Sequence, residues 1–266
     1  MLKAILIGAG LLAGLYLAVL LVLAFAQRSL IYPAPSPAVT NTPAGFVAVQ
    51  LLTADGLTLT AAHKAGQPGK PVAIFFHGNG DSLSGAATAT QALADSGYGL
   101  LLVEYRGYGG NPGKPSETGL YSDGRAAIGW LGTQGVPVNR IVLIGNSLGS
   151  GVATQLATEQ PVAGLVIVSG YTSMADVIAT HYPWVPVRLL LLDRYDNRSK
   201  LGRVAAPILI LHGTADKLIP MVQAQALAHA APRTALQLVE GAGHELAYGR
   251  EAQVPIVRWL GALAAN

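Results

Sequence analysis

The chain has 266 residues, no cysteine, only 12% charged residues and a formal net charge of +3. Without cysteine there are no disulfides, thiolate metal sites or cysteine nucleophile, and the scattered lysines and arginines form no basic run that would suit nucleic acid. The length fits one large α/β domain, and a 51% hydrophobic share lets that domain bury a full core.

From Ala4 to Ala26 there is no charge, and most positions are Leu, Ala, Val, Ile or Gly. As a helix this run rises about 34 Å, enough to cross a bilayer's hydrocarbon core. Arg28 and Tyr32 follow at the depth of interfacial anchors. The expectation is a single-pass N-terminal transmembrane anchor over residues 1–28. A cleaved signal peptide is the rival, since Ala24-Phe25-Ala26 resembles an A-x-A cleavage site, although the apolar stretch exceeds the usual signal core. No polar face exists at helical spacing, which argues against a buried core helix. Lys3 and the terminal amine precede the run and Arg28 follows it, a one-charge lean toward a catalytic domain outside the cytoplasm.

Residues 29–45 hold four prolines and no helical pattern, and are expected to form an extended tether. Residues 46–52 and 57–63 flank Thr53-Ala54-Asp55-Gly56 as a hairpin. Strands are then expected at 72–76, 99–105, 140–144, 162–168, 207–211 and 235–239. Between and after them, helices are expected at 82–96, 121–131, 150–159, 222–230 and 252–263. Continuous apolar strands alternating with helices indicate a mostly parallel sheet covered on both faces. The fold class is therefore doubly wound α/β, with residues 46–266 as the catalytic domain. In such sheets chemistry gathers past the carboxyl ends of the strands.

One of those ends carries Gly145-Asn146-Ser147-Leu148-Gly149, between an apolar strand and a helix. Strand, G-x-S-x-G turn and helix are the context of a nucleophile elbow, so Ser147 is the expected nucleophile. Small residues two before and two after it leave room for close backbone passage. A serine hydroxyl needs a general base, and the base needs an orienting carboxylate, in the chain order Ser, acid, His. His244 lies in Gly241-Ala242-Gly243-His244-Glu245, directly after the last strand, and is the expected base. His229 falls within a helix, and His212 is expected to brace the loop His212-Gly213-Thr214-Ala215-Asp216. Asp216, past the end of the 207–211 strand, is the expected acid. Asp176 is the runner-up, and Asp193 and Asp196 follow it. The oxyanion hole should use the backbone N–H of Leu148 and one from His77-Gly78-Asn79-Gly80, with Asn79 the choice. No H-E-x-x-H or G-x-x-x-x-G-K-[ST] occurs, so neither metal nor cofactor is expected.

Five segments stand in a familiar order: F-F-H-G-N-G (75–80), E-Y-R-G-Y-G-G-N-P-G-K-P-S-E (104–117), I-G-N-S-L-G-S-G (144–151), I-L-H-G-T-A-D-K-L-I-P (210–220) and G-A-G-H-E (241–245). Together they resemble the α/β-hydrolase-domain family of membrane-anchored serine hydrolases, which includes serine-aminopeptidase-like and depalmitoylase-like members. The resemblance covers nearly the whole chain and implies the α/β-hydrolase fold and a Ser–His–Asp triad. Residues 27–33 resemble the junction after that family's N-terminal anchor. Asn146 stands where many relatives have Arg or His, and Glu245 where a small or amide residue is common.

Between the strands at 162–168 and 207–211, the stretch from His181 to Leu192 is apolar, proline-broken and too short to span a membrane. A small lid over residues 175–202 would explain it, as would the packing of an ordinary core helix. A lid lined by Trp184 and leucines would suit acyl chains or aromatic esters, and Arg106 is the one charge that could meet a charged substrate. The expected activity is hydrolysis of an ester or thioester, with a small-molecule or lipid-like acyl substrate. Amide or peptide hydrolysis is the near alternative. A non-catalytic membrane scaffold and a non-hydrolytic chemistry in the same pocket are alternatives of other classes.

Overall fold

The computed structural model describes residues 1–36 and 38–263; Pro37 of the expected tether and residues 264–266 of the expected catalytic domain lie outside the described residues. The chain begins with α1 (Leu2–Ile31), followed by the hairpin β1 (Val47–Leu52) and β2 (Thr58–Lys64). Then come β3 (Val72–Phe76), α2 (Leu83–Ala89), α3 (Gln91–Asp95), β4 (Gly99–Val103), α4 (Glu117–Thr133), β5 (Ile141–Asn146), α5 (Leu148–Glu159) and β6 (Gly164–Val168). Three short helices follow, α6 (Met174–His181), α7 (Val187–Leu190) and α8 (Asn197–Leu201). The chain then closes with β7 (Ile208–Gly213), α9 (Met221–Ala230), β8 (Thr234–Val239) and α10 (Arg250–Leu263).

The strands form one eight-stranded sheet in the order β1-β2-β4-β3-β5-β6-β7-β8, antiparallel at β1–β2 and β2–β4 and parallel from β4 onward. The pattern follows from the residues. All positions of β4, β5, β6 and β7 are buried, as strands covered by helices on both faces require. β1 and β8 are mostly exposed or partly buried, with Leu51 of β1 the fully buried exception, as edge strands are. One core cluster lies under α4, α5, α8 and α9, and a second under α2, α3 and α10.

Three elements differ from expectation. The stretch 82–96 is not one helix: the chain turns at Thr90, whose hydroxyl donates to the Ala86 carbonyl at 2.8 Å, a side-chain bond that competes with helix continuation. α4 starts four residues early because Ser116 caps it, accepting from the Gly119 amide at 3.1 Å. α1 runs past residue 28 to Ile31 and stops where Pro33 disfavours helical geometry at Tyr32. The most apolar window of α1 has mean hydropathy 2.6 and is entirely unburied.

Candidate active site

Four of the parallel strands point their carboxyl ends at one place. Ser147 stands between β5 and α5 with φ 49° and ψ −115°, a strained left-handed φ for a non-glycine residue that holds the side chain out at the tip of the turn. The flanking glycines make that turn possible. A Cβ at Gly145 would collide with the Gly149 carbonyl oxygen, and one at Gly149 with the Phe76 carbonyl oxygen. The loop after β8 supplies His244, whose Nε2 lies 3.0 Å from Ser147 Oγ. The loop after β7 supplies Asp216, whose Oδ2 lies 2.8 Å from His244 Nδ1. Asp216 Oδ1 accepts from the backbone amides of Leu218 at 2.9 Å and Ile219 at 2.8 Å.

These bonds assign the protons. Asp216 can only accept, so His244 Nδ1 carries the hydrogen and Nε2 presents its lone pair to the serine hydroxyl. Burial acts to raise the Asp216 carboxyl, but the bonds from His244 and the Ile219 amide outweigh it and hold the pKa below the ordinary carboxylate value. His212 is fully buried beside this carboxylate, 3.6 Å away, and donates from Nε2 to the Ile219 carbonyl at 2.8 Å. Burial lowers its pKa. As a neutral ring it braces the Asp216 loop, the role expected of it.

The other acidic candidates lie elsewhere. Asp176 accepts from the Thr172 hydroxyl and from Arg188, each at 2.7 Å. Asp193 pairs with Arg28 at 3.0 Å, and Asp196 caps α8 through the Ser199 amide. His229 bonds within α9 to the Gln225 carbonyl. Arg106 is not available to a substrate, because Asp123 and Asp55 hold its guanidinium at 2.7 and 2.6 Å. Asn146 is buried beneath Gly78 and does not line the cavity.

Asn79 and Leu148 both border the cavity that contains Ser147. The loop of Asn79 passes close to Ser147, since a Cβ on Gly78 would lie 3.4 Å from Ser147 Cβ. The contacts that hold this loop carry no local signal in the sequence. His77 is fully buried, donating from Nε2 to Glu104 at 2.9 Å and from Nδ1 to the Gly78 carbonyl at 2.7 Å. Burial alone would strip its proton, but the Glu104 carboxylate beside it raises the pKa. Glu104 also accepts from the Leu83 amide at 3.1 Å, and Tyr105 donates to the His77 carbonyl at 3.0 Å. Glu104 directly follows β4, so the strand-end rule applied to that strand would have singled it out.

The cavity above Ser147 has a volume of about 560 Å³. Residues of α6 and α7 and of the loop between them form one wall, while Leu201 of α8 packs into the core. The apolar stretch from Tyr182 to Leu191 thus lies against the cavity that contains Ser147. Among the described residues no group of three or more His, Asp or Glu side chains is arranged to hold a metal ion.

A model of the α/β-hydrolase fold matches residues 71–197. An uncharacterised protein of Mycobacterium tuberculosis is 42% identical over 247 residues, which cover 88% of this chain and 87% of that protein. Protein ABHD12B of Homo sapiens is 30% identical over 174 residues, 58% of this chain and 48% of its own length. The solved structure of the Pyrococcus furiosus esterase Pf2001 superposes with a TM-score of 0.67 at 20% identity, over 87% of this chain and 97% of that one. With the sheet order and these likenesses together, the chain belongs to the α/β-hydrolase fold family.

Proposed function

We propose that the protein is a membrane-anchored serine hydrolase that cleaves an ester or thioester through Ser147, His244 and Asp216. The continuous hydrogen-bond chain from Asp216 through His244 to Ser147 Oγ carries this reading. Ser147 Oγ attacks the acyl carbon while its proton passes to His244 Nε2, and Asp216 stabilises the imidazolium that forms. The tetrahedral intermediate collapses as the bond to the leaving group breaks and His244 returns the proton to that group. Water then gives a proton to His244 as it attacks the acyl-enzyme, and the bond from the acyl carbon to Ser147 Oγ breaks as His244 returns that proton to Oγ and the acid leaves. The amides of Asn79 and Leu148 are assigned to the developing oxyanion, where each such donor is worth about 3 kcal/mol. In this reading α1 is the anchor, and the one-charge asymmetry around it supports a catalytic domain on the non-cytoplasmic side.

A fluorophosphonate probe applied to membranes containing the full chain tests the nucleophile. Wild type should be labelled and Ser147→Ala should not. Equal labelling of both would overturn the assignment. Recovery of the full-length chain in the carbonate-washed membrane pellet supports the anchor, whereas a soluble product starting near residue 27 would establish a cleaved signal peptide.

A further inference from the structure

The cavity that contains Ser147 is closed on one side by the N-terminal helix. Val19, Leu23, Ala24, Gln27, Leu30 and Ile31 of α1 line it, and their spacing of three to five residues, with adjacent pairs at 23–24 and 30–31, places them along one helical face. The wall is built in rather than adventitious, because polar bonds tie α1 to the lid in matching chain order. Tyr16 donates to the Trp184 carbonyl at 2.8 Å, and Gln27 Oε1 accepts from the Leu192 amide at 2.8 Å. Arg28 Nε donates to Asp193 at 3.0 Å, and the hydroxyls of Tyr32 and Tyr195 meet at 3.0 Å in the core.

This wall overlaps the membrane register. The uncharged stretch Ala4–Ala26 and the cavity wall share residues 19–26, about 12 Å of helix rise. Seating the uncharged stretch in hydrocarbon, with Arg28 at the interface, therefore brings the upper part of the cavity wall into the leaflet. The lid beside it turns large apolar side chains outward. Leu189 is 84% exposed and Leu192 65%, and Phe25 of α1 is likewise 84% exposed. Such side chains on an anchored domain suit burial among lipid tails. Among the described residues no Lys, Arg, Asp or Glu lines the cavity, so its interior favours a chain over a charged headgroup. Its volume of about 560 Å³ falls within the roughly 300–1,000 Å³ of pockets that enclose a ligand.

From these observations we infer that the Val19–Ile31 face of α1 is part of the substrate site. It forms one wall of a channel that admits the long acyl chain of a membrane lipid ester or thioester from the leaflet, between α1 and the lid, and its side chains set the acyl length. The inference rests on the serine-hydrolase reading above.

The test uses the full chain reconstituted in vesicles of a diether phosphatidylcholine, which offers no ester to cleave. It compares kcat/KM for p-nitrophenyl acetate and p-nitrophenyl hexadecanoate, with rates normalised to the protein that a short-chain fluorophosphonate labels. Ala24→Trp fills the wall, and each methylene it displaces from apolar contact costs about fourfold. The hexadecanoate-to-acetate ratio should therefore fall by about tenfold or more. Leu23→Ala opens the wall and should move the acyl optimum of a C4–C18 series toward longer chains. Val22→Trp, on the exposed side of the same helix, should keep the wild-type ratio. Ratios in Ala24→Trp and Leu23→Ala equal to that of Val22→Trp would overturn the inference while leaving the serine-hydrolase reading intact. A wild type neither labelled nor active on any ester would overturn that reading and this inference with it.

Discussion

Replacing Asp216 with Asn separates the orienting role of this carboxylate from its packing. Asn has nearly the same shape, and the site dictates how it must sit. The amides of Leu218 and Ile219 both donate to Oδ1, so the carboxamide oxygen has to occupy that position. Its NH2 group then replaces Oδ2, 2.8 Å from His244 Nδ1. A donor there requires Nδ1 to accept, which moves the ring hydrogen to Nε2, the atom facing Ser147 Oγ. A base in the wrong tautomer cannot take the serine proton, and the loss of kcat in such a triad is about ten-thousandfold. At about 1.36 kcal/mol per factor of ten, that corresponds to roughly 5.5 kcal/mol of transition-state stabilisation. The assay is p-nitrophenyl butyrate hydrolysis by the purified full chain, with circular dichroism to confirm folding. Asp176→Asn, altered at a carboxylate bound to Thr172 and Arg188, should stay within about threefold of wild type, as expected away from the reacting atoms. A folded Asp216→Asn enzyme within tenfold of wild type would refute the assignment of the acid.

Three further outcomes follow from the geometry. Gly149→Ala places a methyl group against the Phe76 carbonyl oxygen, so it should destabilise the protein by about 1–3 kcal/mol and abolish fluorophosphonate labelling, read by denaturant melts and the probe. The pKa of buried His77 is raised by its partner Glu104 despite the opposing effect of burial. Its contribution to stability is therefore complete below the unfolded value of about 6.5 and is lost as pH rises through the higher folded value. Wild type should lose denaturant resistance on going from pH 6 to pH 9, and Glu104→Gln should flatten that slope. Arg28→Ala removes a half-exposed partner of Asp193, worth about 1 kcal/mol or less after solvent screening. Faster amide hydrogen exchange over residues 184–193, with β5 unaffected, is the expected signature.

Legibility in the sequence tracked how local each interaction is. The strand at 141–146, the elbow at Ser147 and the helix from Leu148 form one continuous stretch of chain, so residue type alone announces them. The break at Thr90 has no pattern in the sequence because a single hydroxyl bonding to the Ala86 carbonyl decides it, within a run whose alanines all favour helix. Nothing near Arg106 in sequence shows that it is occupied, because its partners are distant: Asp55 lies 51 residues before it and Asp123 17 after it. The His77–Glu104 pair likewise joins two loops that become neighbours only because β3 and β4 lie side by side in the sheet.

The fold class, the apolar N-terminal helix and the candidacy of Ser147, Asp216 and His244 are therefore written in the order of residues along the chain. Hydrophobic periodicity, glycine placement and chain order are properties of consecutive residues. Which carboxylate meets His244, the occupation of Arg106 by two aspartates and the closing of the cavity over Ser147 by α1 emerge only in three dimensions. Those facts depend on which strand ends converge and on how a 30-residue helix docks against a lid more than 150 residues away. Burial and hydrogen-bond geometry set such contacts, and neither exists until the sheet has formed.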